Sequence, residues 1–131
     1  MDQLLIPVDA EQAVIDELTP AYTIGTSIPD PKPDLFLRVV AVGGTSRDLV
    51  TDRPILTLEA FALKESDASD ALGYALGLLG LAARNGRIGV ETTYGLEVAG
   101  LPQNNPLPSV PSHVRYTATI VPALRRRVTT L

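Results

Sequence analysis

The chain has no cysteine and no tryptophan, and it has only one histidine, His113, among its 131 residues. The absence of cysteine excludes a disulfide framework, a thiolate nucleophile and any zinc site with cysteine ligands, and it is typical of a reducing compartment. A catalytic triad or a histidine-based metal site would have to rest on His113 alone. Because His113 begins a strand beside a proline-rich loop, we expect it to be a structural or surface residue.

Long apolar runs and an excess of basic charge are also missing. The uncharged, mostly apolar stretch at residues 71–83 is shorter than the about 20 residues that a membrane-spanning helix needs. The first residues carry an acid and no basic region, so we expect no signal peptide. A net charge of −4 argues against binding of nucleic acid by phosphate neutralisation.

What is present indicates one folded domain covering residues 1–131. Hydrophobic residues make up 45% of the chain and charged residues 20%, which is enough to build one core. Residues 9–18 predict a short amphipathic helix with Asp9 as its N-cap. A second, longer helix is predicted from Ser66 as N-cap to a stop at Gly86. Its inward stripe is predicted to consist of Leu72, Leu76, Leu79 and Ala83.

Three glycines, Gly73, Gly77 and Gly80, lie along a neighbouring stripe of the longer helix. Each glycine costs about 0.8–1 kcal/mol relative to alanine in a helix interior. Close backbone approach usually offsets this cost, either by another helix of the same domain or by a second subunit. The three glycines are therefore candidate residues of a subunit interface, with the first alternative left open.

The remaining segments predict a sheet. Runs rich in β-formers form one hairpin, residues 35–63, in which we expect Glu59 near Arg38. Pro122 interrupts the last predicted strand and favours an edge position or a bulge there. The predicted fold is α+β: a mostly antiparallel sheet of about four to five strands, with the long helix and the short N-terminal helix packed on it. The predicted strand segments are residues 21–28, 35–42, 53–63, 88–98 and 113–128.

Motifs that carry chemistry are almost absent. The glycine pair in residues 42–48 lacks the spacing of a phosphate-binding loop, and Asp30 and Asp34 lack the spacing of a calcium loop. We predict no catalytic residue, no cofactor and no metal. The basic cluster Arg125, Arg126 and Arg127 is either a solvated tail or a docking patch for an acidic neighbour. In the hairpin connection, Arg47 and Asp48 are further candidates for partner docking.

The order of these segments resembles that of a known family. "PDLFLRVVAVGG", "DRPILTLEAFA", a helix of small residues, a proline-rich loop and "HVRYTATIVPALRR" together resemble the tail terminator proteins of long-tailed, noncontractile bacteriophages, especially those of actinobacterial hosts. The resemblance covers about residues 30–127, and the strands that begin at Arg53 and Val114 are its most specific parts. Pro122 and the three helix glycines depart from the family pattern.

The resemblance implies a small α+β protein that forms a homohexameric ring on the head-proximal end of the tail tube. Such a ring ends polymerisation of the tail tube protein and provides the surface to which the head-tail connector or stopper protein joins. It implies a place in the neck of the virion, and in the host cytoplasm during assembly, with DNA passing through the lumen without specific binding. Residues 43–52 and 100–112 are the candidate axial loops, and no enzymatic activity is required.

Three other interpretations stay open. A different neck protein or a tail tube subunit would share this composition, but a tube subunit would polymerise into long tubes. A small-molecule-binding regulatory domain would also use a helix-covered sheet, and it would be a dimer with a saturable ligand. An enzyme is the weakest alternative, because it would depend on carboxylates, arginine or tyrosine.

Overall fold

The computed structural model describes residues 2–131, and within them the chain forms two helices and eight strands. Six strands form one curled, mixed sheet in the order β2-β3-β4-β7-β6-β5, while β1 and β8 pair with each other. The α+β prediction is confirmed, but the predicted strand number was too low. The elements are β1 (Gln3–Ile6), α1 (Ala10–Leu18), β2 (Ile24–Gly25), β3 (Phe36–Ser46), β4 (Thr51–Ala62), α2 (Glu65–Arg84), β5 (Arg87–Ile88), β6 (Glu91–Asn104), β7 (Val114–Arg125) and β8 (Arg127–Thr130).

The predicted hairpin is formed by β3 and β4, and its register brings Arg38 opposite Glu59. This confirms the predicted proximity of the two side chains. Only β2 pairs in parallel, with Leu37 and Arg38 of β3, and the other described pairings are antiparallel. The predicted ten-residue connection is shorter than expected because both strands continue into it, which leaves residues 47–50 as the turn.

Helix α1 begins as predicted. The Asp9 side chain accepts a hydrogen bond from the Gln12 backbone N–H at 3.0 Å, which satisfies a donor that the first helical turn leaves free. The Gln12 side chain donates to Asp16 at 2.7 Å, so it does not form the reciprocal bond to the N-cap backbone that a capping box requires. Consequently α1 has a simple N-cap, and its buried residues Ala10, Ala13, Val14 and Leu18 face the core.

Helix α2 begins earlier than predicted, so the assignment of Ser66 as N-cap is wrong. Lys64 is the capping residue, with extended backbone and no side-chain cap bond. The Tyr116 hydroxyl donates to the Glu65 carboxylate at 2.9 Å, and this contact with β7 fixes the first turn. Gly86 follows the helix with φ of +85°, as the predicted stop requires. No helix within residues 2–131 has the length and hydrophobicity to cross a membrane.

Both helices cover one face of the sheet, here called the inner face. On β4 this face consists of Leu56, Leu58 and Ala60, all fully buried. Leu72 and Leu79 of α2 are buried against it as predicted, but Leu76 is only partly buried. Ala83 is also only partly buried. Small side chains let the helix lie close to the curved sheet, so the stripe is completed by Ala68, Ala71, Ala75 and Ala82.

The last long strand, β7, lies at the centre of the sheet between β4 and β6. The edge position considered for Pro122 is therefore wrong. The register brings Pro54 opposite Pro122, and the ladder between β4 and β7 is interrupted there. On the other side, β6 shifts register between Thr93 and Leu96, opposite Pro122. Because proline has no N–H to donate, a local interruption with a bulge is how a central strand accommodates it.

Other predicted boundaries also differ. The predicted strand at residues 88–98 is divided into β5 and β6, and the one at residues 113–128 into β7 and β8. Strand β6 continues to Asn104 because Gln103 and Asn104 pair with β7, so the proline-rich loop is shortened to residues 105–113. Only Ile24–Gly25 of the predicted strand at residues 21–28 is in the sheet. The pairing of β1 with β8, which joins the two ends of the chain, was not predicted.

Candidate interaction surfaces

Residues predicted to dock a partner come together at the end of the β3–β4 hairpin. The Arg47 guanidinium lies 5.5 Å from the centre of the Tyr94 ring, a cation–π distance. From the other side, Arg125 donates to the Tyr94 hydroxyl at 3.2 Å. We call Arg47, Asp48, Leu49, Tyr94 and Arg125 the hairpin patch. Tyr94 was not predicted, because only the fold brings β6 beside the hairpin turn, whereas Leu49 lies within the candidate axial loop at residues 43–52.

The turn that carries the hairpin patch is held by its own hydrogen bonds. Asp48 accepts from the Val50 backbone N–H at 2.9 Å, and Ser46 donates to the Asp48 carbonyl at 2.8 Å. The Val50 N–H holds the pKa of the Asp48 carboxyl below its ordinary value. Leu49 at the tip is 83% exposed. The patch is thus a preformed turn with an exposed apolar tip and flanking arginines.

The other two arginines of the basic cluster have carboxylate partners within the chain. Arg126 donates to Asp52 through Nε and Nη2, the latter at 2.7 Å. Arg127 donates to Glu91, with Nη2 at 2.6 Å from Oε2. Hydrogen bonds to these carboxylates raise the pKa of both guanidinium groups. These pairs fix the point where the chain leaves β7 for β8, so Arg126 and Arg127 have structural partners and contribute less free charge to a docking patch.

The three glycines of α2 lie on its solvent side. Gly73 and Gly77 are exposed and Gly80 is half-buried. A Cβ atom added at any of the three would meet nothing within 4 Å. The alternative that another helix of this domain packs on them is therefore wrong. A second subunit as the partner stays a prediction, and no contact within residues 2–131 offsets the cost of the glycines.

The sheet has two long edges without strand partners among residues 2–131. Strand β5 pairs only with Glu91 and Thr92, so the rest of β6 is unpaired on that side. The β6 edge exposes Tyr94, Val98 and Leu101, the last at 77%. At the opposite edge, β2 pairs with Leu37 and Arg38 of β3, and the Ala41 N–H donates to the Glu11 carboxylate of α1 at 2.7 Å. Long exposed edges of this kind pair readily with another chain.

The face of the sheet opposite the helices, the outer face, carries a buried charge cluster. Glu59 is 2% exposed, and its carboxylate accepts hydrogen bonds from Arg38 and from Arg115. Arg115 was not predicted, because it reaches Glu59 from β7. All of these groups are engaged with one another. The cluster is therefore a structural feature that joins three strands, with no carboxylate free for acid or base chemistry.

His113 and the phenylalanines occupy the other end of the outer face. Phe36 stacks on Phe61 with 4.6 Å between ring centres, and the His113 ring meets Phe36 edge-on at 5.4 Å. The two imidazole nitrogens lie 2.8 Å from the Pro33 carbonyl and from the Ser112 hydroxyl. These contacts hold residues 105–113 against the sheet and give His113 a structural role.

Two of the open surface cavities include predicted candidate residues. One of about 310 Å³ lies between the N-terminal segment and the hairpin and includes Gly44, Asp52 and Arg126. Another of about 520 Å³ lies at the start of α2 and includes Asp34 and Tyr74.

The part of the chain that is described contains no group of three or more metal-ligating side chains. The predictions of no metal and no cofactor stay predictions.

No protein-family model matches the chain, and no curated protein matches it either. The structure itself defines an α+β protein with a helix-covered sheet, two unpaired strand edges and a preformed hairpin patch.

Proposed function

We propose that the chain is a structural protein of a phage virion, forming a homohexameric ring that caps the head-proximal end of the tail tube. The resemblance rests on an order of segments: a hairpin, a helix of small residues and two further long strands. The fold has the same order in β3, β4, α2, β6 and β7. The observation that carries the proposal is the pair of unlike, unpaired edges on opposite sides of one sheet.

Unlike edges favour a ring. When the β6 edge of one copy meets the β3 edge of the next, each copy still offers one free edge of each kind, so the contact repeats with a constant rotation. Growth ends when the rotation closes the ring, which the resemblance puts at six copies. Closure buries Val98 and Leu101, whose exposure is otherwise unfavourable.

The hairpin patch is the proposed docking surface for the tail tube protein or for the head-tail connector. Arg47 and Arg125 carry two positive charges against the single negative charge of Asp48, and Leu49 adds an apolar contact. An acidic neighbour with a small apolar pocket fits this surface. DNA passes through the lumen without specific binding, consistent with a net charge of −4.

The first test is the assembly state of the purified chain. Light scattering over a concentration series, with negative-stain images, should give closed six-fold rings. Leu101→Lys puts a charge on the β6 edge and should abolish the rings, whereas Leu131→Lys, at a side chain also 74% exposed, should leave them intact. Rings that form equally well with Leu101→Lys would contradict the edge contact.

A second test addresses capping itself. Purified chain added to a polymerising tail tube protein should shorten the tubes, and the Leu101→Lys variant should not. If the chain alone grows into long tubes, it is a tube subunit instead. If it stays a dimer and binds a small molecule saturably, for example in the 310 Å³ cavity, the regulatory-domain interpretation replaces this one.

A further inference from the structure

The exposed face of α2 carries opposite charges at equal distances from Gly77. Asp70 lies seven residues before Gly77 and Arg84 seven residues after it, and both belong to α2. At 1.5 Å per residue, Asp70 and Arg84 lie about 10 Å from Gly77 along the helix. The charge pattern is therefore its own complement when a second α2 runs antiparallel across Gly77.

Large and small side chains are also placed at equal distances before and after Gly77. Tyr74 lies three residues before Gly77 and Gly80 three after it, while Gly73 lies four before and Leu81 four after. Tyr74 is 62% exposed and Leu81 48%. In an antiparallel pair, each Tyr74 and Leu81 would lie over a glycine of the other helix. The glycines leave open space there, so the two backbones can approach closely.

From these observations we propose that the exposed face of α2 binds the same face of a second copy of this chain, antiparallel and about a two-fold axis at Gly77. Within residues 2–131, Asp70 and Arg84 have no salt bridge. A second copy supplies each of these charges with an opposite partner, and every pair occurs twice.

The acidic end of α2 also has room for an arginine from the second copy. Asp67 and Asp70 line the 520 Å³ cavity together with Asp34, Lys64 and the rings of Tyr22 and Tyr74, so its lining holds three carboxylates against one amine. Carboxylates and aromatic faces both favour a guanidinium group. At a crossing angle of about 20°, helices stay close over this length, so the partner's Arg84 reaches Asp70.

Acids early in a helix and arginines at its end also suit the helix dipole, but that effect is confined to the terminal turns. Asp70 lies beyond the first turn of α2, which begins at Glu65. The dipole also requires no match between large and small side chains across Gly77. Interaction with the helix dipole and binding of a second copy predict different results of charge reversal. Reversing the charges changes the association of two chains only if the charges contact a second copy.

The two-fold contact is distinct from the ring contact and does not rest on the proposed function. A contact between identical faces closes at two copies, so it cannot repeat around a cyclic ring. It joins two free chains or two rings, and it uses no residue of the β6 or β3 edge. Leu101→Lys should therefore remove the ring and leave the α2 contact unchanged.

The test uses the absence of cysteine in the chain. Gly77→Cys puts a thiol next to its own copy at the two-fold axis, within disulfide distance for closely packed helices. Gly25→Cys is the matched control, since a Cβ there also meets nothing within 4 Å. Under mild oxidation at low salt, non-reducing gels should show a cross-linked dimer for Gly77→Cys and monomer for Gly25→Cys.

Charge reversal gives the second arm. In the Gly77→Cys background, Asp70→Arg and Arg84→Asp should each lower the cross-linking rate about tenfold, and the double reversal should restore most of it. Unfolding curves of each variant check that the chain stays folded. Cross-linking of Gly77→Cys no faster than that of Gly25→Cys, or no recovery in the double reversal, would overturn the proposal.

Discussion

Neighbouring residues of β4 face two surfaces of opposite character. Leu58 faces the helices in an apolar layer, whereas Glu59, the next residue, faces Arg38 and Arg115 on the outer face. Both side chains are buried to a similar degree, 0% and 2% exposed. Burial alone therefore does not tell how a residue stabilises this sheet. The inner face depends on volume and the outer face on directional partners.

The comparison predicts its largest effect at Glu59. Glu59→Gln leaves two arginines around a neutral group, and breaking a buried ion pair in this way should cost about 3–5 kcal/mol of unfolding free energy. Urea unfolding followed by circular dichroism measures it. The control is Glu97→Gln, whose side chain is 56% exposed and paired with Arg53 at 2.8 Å, with an expected cost under about 1 kcal/mol. Similar costs for both variants would contradict the assignment of Glu59 as the buried partner of two arginines.

The inner face should respond to volume instead of charge. Leu58→Ala removes a fully buried side chain and should cost about 2–5 kcal/mol, because the removed contacts leave a cavity. Leu58→Met keeps the volume and should cost less than about 1.5 kcal/mol. The same urea titrations apply. If Leu58→Met were as damaging as Leu58→Ala, the layer would depend on shape more strictly than proposed.

On the exposed face of α2, a substitution should raise the free energy of unfolding instead of lowering it. Gly77→Ala adds a methyl group into open space and should raise the stability of the monomer by about 0.4–1 kcal/mol, measured at high salt. Gly44→Ala is the contrasting control. It has φ of +137°, and its Cβ would lie 2.4 Å from the Arg53 carbonyl oxygen, so it should destabilise. A loss of stability for Gly77→Ala would mean that α2 is less exposed than described.

The smallest effect concerns pH. The hydrogen bond to Glu65 raises the pKa of Tyr116 above that of the unfolded chain. Its contribution to stability is therefore complete below the unfolded pKa, about 10, and is lost as pH rises through the folded pKa. With four tyrosines and no tryptophan, absorbance titration follows the phenols directly. Tyr116→Phe should remove one late-titrating phenol, and an unchanged high-pH portion of the curve would contradict this.

Much of the inner face could be predicted from the sequence, because its signals are local. Alternation of apolar residues identifies the inward side of β4, and Asp9 identifies the start of α1. The pairing of Arg38 with Glu59 also follows from one hairpin register. Each of these depends on residues within a single element or on two strands joined by a turn.

The remaining features depend on contacts between distant segments. Arg115 reaches Glu59 from β7, and Tyr116 sets the first turn of α2, which displaced the predicted cap at Ser66. The hairpin patch likewise forms only when β6 brings Tyr94 between Arg47 and Arg125. A local sequence pattern does not tell which distant strands pair or in which register. Sequence reasoning could therefore identify candidate residues but not the residues that contact them.

The most direct measurement for the ring proposal is the mass of the purified chain by light scattering, taken across a concentration series and paired with images of the largest species. A particle of six chains, closed and six-fold in projection, is the expected result, and two such rings joined through α2 would give twice that mass. A mass that never exceeds two chains at any concentration would contradict the ring.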